Sequence, residues 1–199
     1  MNETTRLETF SDGIFAIAAT LLILEVGVHS VAGARLGHEL WHIWPSYLAF
    51  VTSFVVIGIV WINHHHTVSL IARVDRTFLF INNMLLLTIA FLPFPTKLVA
   101  QYLNKDGERS AALLYTGTLV VMSVLHQVWW RYARNGRRLI ADAVPDSELR
   151  AVDHAYAPGV LMYGIVFVVA FFSPLASVAL TLAIAAFYVP SAALFAEKS

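Results

Sequence analysis

The 199-residue chain contains no cysteine and few charged residues. The absence of cysteine excludes disulfides, thiolate metal sites and cysteine nucleophiles. Charged residues make up 13% of the sequence, and lysine plus arginine balance aspartate plus glutamate at 13 each, so the formal net charge is zero. A chain without excess charge offers no strong basic surface, and we expect no nucleic-acid partner.

The motifs of common enzymes and pumps are also missing from the sequence. It has no Walker A loop, no G-x-S-x-G nucleophile elbow and no H-E-x-x-H zinc pair. A T-V-G-Y-G carbonyl filter, typical of familiar potassium channels, is absent as well. We therefore predict that the chain is not an enzyme and needs no cofactor.

Apolar residues dominate instead, at 58% of the chain with a mean hydropathy of +0.69. A helix needs about 20 mostly apolar residues to cross the hydrocarbon of a bilayer. Six runs meet or approach this length, and they predict an all-α membrane protein with one domain over residues 1–199. The predicted helices lie near residues 8–28, 43–63, 78–101, 111–131, 156–173 and 175–196.

The lysines and arginines predict the orientation of these helices. With both termini in the cytoplasm, nine basic residues fall on the inner side and four on the outer side. This asymmetry follows the positive-inside rule and favours cytoplasmic termini in a multi-pass cell-membrane protein. The nine are Arg6, Arg73, Arg76, Arg131, Arg134, Arg137, Arg138, Arg150 and Lys198, and the four are Arg35, Lys97, Lys105 and Arg109.

The first predicted helix has two different faces. At about 100° per residue, Leu21 and Leu24 lie within about 40° of Ile17, and Thr20 lies about 60° away. Ser11 and Asp12 point about 120° and 140° from the same direction. The aliphatic face is typical either of lipid contact or of a hydrophobic ring that closes an ion pathway by dewetting. Spacing alone leaves both interpretations open.

The polar pair requires partners, because a carboxylate within a membrane helix is costly unless it is paired or functional. The second predicted helix ends with Trp61 and with histidines at positions 64, 65 and 66, at the same depth as Asp12. We expect a histidine to donate to the Asp12 carboxylate, either in a structural network or as a proton relay. Consecutive histidines on a helix point about 100° apart, so we predict no metal site among them.

At this point the residues resemble the signature of the transmembrane protein 175 family of cation channels. The resemblance rests on Arg6-x-x-x-Phe10-Ser11-Asp12-Gly13 in the first helix and on Trp61-x-x-His64-His65 at the end of the second. Asp75 and Asn82 ahead of Pro93-Phe94-Pro95-Thr96 in the third helix add to it. These matches cover roughly the first 100 residues.

The resemblance implies a homotetramer whose first helices line a central pore for potassium and other monovalent cations. It implies a constriction at Ile17, Leu21 and Leu24, with Thr20 as a polar layer, so that potassium passes Ile17 and Thr20. It also implies a structural network that holds the pore helix in place. The residues of that network are Arg6, Phe10, Ser11, Asp12, Gly13, Trp61, His64, His65 and Asn82.

The resemblance therefore implies a passive, potassium-permeable channel in a prokaryotic cell membrane. Its expected partners are other copies of the chain, the bilayer and the permeant ion. The alternative is a proton-coupled secondary transporter that uses Asp12 and a histidine of the second helix. A membrane scaffold without transport activity is a third possibility.

Overall fold

The computed structural model describes residues 3–27 and 36–196, apart from the side chains of Glu25 and of residues 189–196. Arg35 and Lys198, two of the residues used to predict orientation, lie outside this description. In the described part helices dominate, which confirms the predicted all-α class, and a single β-bridge pairs Ile71 with Ile140. The helices are α1 (Glu3–Leu21), α2 (Leu36–His42), α3 (Trp44–Ser69), α4 (Arg76–Phe91), α5 (Pro93–Tyr102), α6 (Glu108–Arg134), α7 (Asp146–Tyr156), α8 (Gly159–Phe172) and α9 (Pro174–Ala196).

Among the described residues, five helical segments are long and apolar enough to cross a membrane, and a sixth apolar stretch, Pro174–Tyr188, is shorter. The first segment begins earlier than the apolar run, because α1 includes polar residues from Glu3 onward. Its end tightens into a 3-10 turn over Leu22–Glu25. The five segments are Glu3–Leu24, Trp44–Ser69, Arg76–Tyr102, Glu108–Arg137 and Asp146–Phe172.

Prolines mark two of the helix boundaries, one within an apolar run and one between two runs. Leu92 alone separates α4 from α5, and Pro93 opens α5 without a backbone N–H to donate. Ser173 alone separates α8 from α9, which begins at Pro174. The chain therefore turns between α8 and α9 with almost no loop, because Pro174 cannot continue the backbone hydrogen bonds of α8.

The helices pack so that α1 lies at one side of the bundle, against α3 and α4. Helix α3 also contacts α5 and α9, and α6 contacts α4, α5 and α8. A polar link crosses this interior. The Ser53 hydroxyl lies 2.8 Å from the Thr96 hydroxyl and donates to the Tyr115 hydroxyl at 3.1 Å. Bonds of this kind join α3, α5 and α6, where lipid offers no competing partner.

Candidate functional site: the outward face of the first helix and its anchor

A stripe along α1 is open to the surroundings of the subunit. Ile17 is 60% exposed and Leu24 is 73% exposed, while Leu21 is 41% exposed. Gly13 and Thr20 are exposed along the same stripe. The apolar side chains that the sequence places on one face therefore do not pack into the subunit.

The opposite face of α1 is buried at every turn. Ser11 has no exposed surface, and the small side chain of Ala18 is 1% exposed. Leu7, Phe15 and Leu22 continue this buried line. Steps of three or four residues keep the five on one side of a helix. The 120° angle predicted between Ser11 and Ile17 thus separates a buried side from an open one.

A chain of hydrogen bonds ties the buried face of α1 to α3 and α4. The Asn82 side-chain amide donates from Nδ2 to the Ser11 hydroxyl at 3.3 Å, and Ser11 donates to the Leu7 carbonyl at 2.8 Å. The other end of the same amide, Oδ1, lies 3.0 Å from His64 Nε2. Because an amide oxygen only accepts, His64 donates through Nε2. Three helices thus meet at one buried asparagine.

Asp12 has a different partner from the one predicted. The Trp61 indole donates from Nε1 to Asp12 Oδ1 at 2.9 Å. His64 is turned toward Asn82, and His65 Nδ1 lies 3.2 Å from Glu8 Oε1. The expectation that a histidine donates to Asp12 is therefore wrong for the described contacts. Successive residues of α3 point about 100° apart, which sends the two histidines to different partners.

Aromatic rings surround the buried end of this network. The Phe15 ring centroid lies 5.4 Å from that of His64, and His64 stacks on Trp129 of α6 at 4.9 Å. Phe78 of α4 stacks on the same Trp129 ring, with the two centroids 5.1 Å apart. Ring pairs at these separations add packing energy beyond buried area. The rings hold His64 in the orientation that its bond to Asn82 requires.

Thr20 lies in the open stripe, and its hydroxyl donates a hydrogen bond within α1. Its hydroxyl is 2.9 Å from both the Ala16 and the Ile17 carbonyl oxygens, to which it donates. A hydroxyl carries one proton and two lone pairs. The oxygen of Thr20 can therefore still accept a hydrogen bond or contact a cation from the outer side of the helix.

Three residues of the expected network lie elsewhere. Phe10 and Arg6 are exposed on the same side of α1 as Ile17, and Gly13 has open space where a Cβ atom would stand. Among the described residues, the bonds joining α1 to α3 and α4 do not include Arg6. The sequence reasoning also missed Glu8 and Trp129, although Glu8 precedes Asp12 by one helical turn and so shares its face.

Asp75 fixes the start of α4, the helix that carries Asn82. Its side chain accepts from the Phe78 backbone N–H at 2.8 Å, from the Tyr132 hydroxyl at 2.9 Å and from the Arg138 guanidinium at 2.8 Å. These donors, the Phe78 N–H above all, hold the pKa of the Asp75 carboxyl below its usual range. The N-terminus of α4 is thus anchored to the end of α6 and to the segment after it.

Comparison with known proteins assigns the chain to a family. Residues 6–93 match the model of the family described as the endosomal/lysosomal potassium channel TMEM175. A potassium channel of Chamaesiphon minutus is 40% identical over 190 residues, covering 94% of each chain. A potassium channel of Streptomyces collinus is 44% identical over 176 residues, covering 87% of this chain and 85% of its own length. The chain belongs to the TMEM175 family.

A solved structure supports the membership. The crystal structure of a lysosomal potassium-selective channel TMEM175 homolog from Chamaesiphon minutus superposes with a TM-score of 0.87 at 38% identity. The superposition covers 96% of this chain and 98% of that one. Membership confirms the resemblance read from the signature residues. It also agrees with the prediction that the chain is not an enzyme, because the family is one of channels.

Proposed function

We propose that this chain is a subunit of a homotetrameric potassium channel, with α1 of each copy lining a central pore. The relatives from Chamaesiphon minutus and Streptomyces collinus, which are named potassium channels, support the function. The cell membrane of a prokaryote, with both termini in the cytoplasm, is the proposed location. The charge asymmetry of the loops supports that orientation.

One observation carries the proposal: α1 has an open aliphatic stripe, and its opposite face is buried and bonded to α4 through Ser11. Ile17 and Leu24 are exposed in the subunit, whereas Ser11 is buried and bonded to Asn82 of α4. A helix that only faced lipid would not need its rotation fixed by hydrogen bonds. The anchor sets which residues of α1 face away from the subunit, and a pore lining requires such a fixed rotation.

Conduction through this pore involves no chemical step. Four copies of Ile17 form the narrowest ring in the proposal, and Leu21 and Leu24 form further rings toward the outer end. An ion must lose part of its hydration shell to pass, because methyl groups offer no oxygen ligands. The Thr20 hydroxyl oxygens supply a polar layer next to the Ile17 ring. Selectivity for potassium over sodium is therefore expected to be modest.

The test is the variant Ile17→Asn, recorded in planar bilayers with potassium, sodium and caesium in turn. We expect a higher conductance and weaker selectivity, because an amide stays hydrated where the isoleucine methyl groups repel water. Ile165→Asn is the matched control, since Ile165 is 50% exposed on α8. The same currents in wild type and Ile17→Asn would remove Ile17 from the constriction.

The same recordings separate the channel from the carrier that uses Asp12. A channel passes potassium down its electrochemical gradient without a proton gradient. Flux that saturates with substrate and stops when the proton gradient is removed would identify a proton-coupled transporter instead.

A further inference from the structure

Two carboxylates of α1 and one imidazole of α3 converge near the hydrogen bonds that join Ser11, Asn82 and His64. Glu8 and Asp12 are one turn apart on α1 and point the same way. His65 of α3 brings Nδ1 to 3.2 Å from Glu8 Oε1. One ligand atom from each of the three residues lies within 4.8 Å of the other two.

The nitrogen of His65 in this group has an unusual environment. His65 Nδ1 is closed off from solvent and takes part in no well-formed hydrogen bond with the described residues, although Glu8 is close. A buried ring nitrogen normally has a partner. Here it faces the Glu8 carboxylate at 3.2 Å, and in the tautomer protonated at Nε2 its lone pair is available to an ion placed between the three side chains.

We propose that Glu8, Asp12 and His65 bind a divalent transition-metal ion of the zinc class, and that the ion ties α1 to α3. Zinc takes carboxylate oxygens and imidazole nitrogens at about 2.0–2.2 Å, and sites with three protein ligands leave a fourth position for water. Ligand atoms of a tetrahedral site then stand about 3.4 Å apart. The three ligand atoms lie within 4.8 Å of one another, so a bound ion would draw the wider pairs closer together.

The surroundings of the site allow an ion to enter and keep its ligands in place. The side chains of His65 and Glu8 are 45% and 34% exposed, so a rotation of the imidazole opens its shielded Nδ1 to an arriving ion. Trp61 donates to Asp12 Oδ1, which fixes the carboxylate and leaves its other oxygen for the metal. Partners in this outer position strengthen metal sites considerably. The chain has no cysteine to compete for the ion.

Metal binding is tested without any measurement of current. The full chain, purified in detergent and treated with chelator, is titrated with zinc chloride by isothermal calorimetry, with magnesium chloride in parallel. His38 and His42, whose Nε2 atoms are 2.9 Å apart on α2, are first replaced by alanine in all proteins, because this pair can also bind zinc. We expect one zinc ion per chain and no binding of magnesium.

The variants Glu8→Gln and His65→Ala remove one ligand each. We expect each to weaken zinc binding by roughly tenfold or more, since even the loss of an outer partner costs about 10–100-fold. His66→Ala is the matched control and should bind zinc like its parent, because the next residue of α3 points about 100° away. Size-exclusion profiles check that every variant is folded.

Two results would overturn the metal site. One is a parent protein that binds no zinc, and the other is an unchanged affinity in Glu8→Gln and His65→Ala. A change of current on adding zinc is a further expectation that rests on the proposed function. Zinc binding by a protein that passes no current would support the metal site and contradict the channel proposal. The failure of one proposal can therefore be told from the failure of the other.

Discussion

Asn82 uses both ends of its side-chain amide at one buried point between three helices. It donates to Ser11 of α1 and accepts from His64 of α3. Neither partner has water available, since Ser11 and His64 are 0% and 1% exposed. Loss of the amide therefore leaves the buried His64 N–H without its acceptor, while Ser11 loses a donor but keeps its own bond to the Leu7 carbonyl. An unpaired buried donor costs more than the net gain of one bond.

Asn82→Ala is expected to lower the free energy of unfolding by about 1–2 kcal/mol, given the modest worth of such bonds between membrane helices. The measurement is unfolding in mixed detergent micelles, followed by tryptophan fluorescence. Asn83→Ala is the control, because the neighbouring side chain is exposed. Equal losses in the two variants would contradict the bridging role of Asn82.

Helix α4 starts where three side-chain and backbone donors converge on Asp75. Its carboxylate caps the helix through the Phe78 N–H and holds Tyr132 and Arg138 at the end of the bundle. Because α4 carries Asn82, the position of its first turn also sets the depth of the α1 anchor. The cap thus links a surface residue to the rotation of the first helix.

The lowered pKa of Asp75 predicts how acid affects the fold. A carboxyl whose pKa is lower when folded stabilises the protein above its unfolded value, about 3.9, and loses this contribution as the pH falls through the folded value. Asp75→Asn keeps a capping oxygen but not the charge, so we expect it to be less stable at pH 7 by about 0.5–1 kcal/mol. The difference in stability between the wild type and Asp75→Asn should disappear below about pH 4.

Thermal unfolding of both proteins between pH 7 and pH 3 checks this expectation for the cap of α4. A difference in melting temperature between the two proteins that stays constant from pH 7 to pH 3 would mean that the Asp75 charge contributes nothing. Because the carboxylate is partly exposed, raised salt is also expected to narrow the gap at pH 7.

At the level of the whole molecule, the bonds that hold Ser11 against α4 also fix the direction in which the open stripe of α1 faces. A subunit of 22.1 kDa leaves large apolar side chains exposed on α1, and the proposed assembly of four copies around a central axis would give them a defined place. Asp12 belongs to the anchoring side, where Trp61 holds it. Its replacement is therefore expected to affect assembly before it affects ion preference.

Asp12→Ala should give fewer tetramers than wild type in native mass spectrometry, with chelator present throughout. Thr9→Ala is a suitable control, because the Thr9 hydroxyl donates within α1 itself, to the Thr5 carbonyl at 2.8 Å. Intact Asp12→Ala tetramers with an altered ratio of potassium to sodium currents would instead assign Asp12 to the ion pathway.

The sequence by itself determined the helical class and the two faces of α1. Continuous apolar runs leave helices as the natural way to satisfy the backbone, and a fixed rotation per residue places Ile17 and Ser11 on different sides whatever the neighbours are. The prolines at 93 and 174 determined two helix breaks for the same local reason. Each of these features depends on residues close together in the chain.

The tertiary structure alone decided which side chains meet. Asp12, His64 and His65 had several acceptable partners at the same depth, and the packing of α1 against α3 and α4 assigned Trp61 to Asp12, Asn82 to His64 and Glu8 to His65. Periodicity gives the direction of a side chain on its own helix but not the relative rotation of two helices. That rotation is set by the whole interface, including the rings around Trp129 that no local pattern identifies.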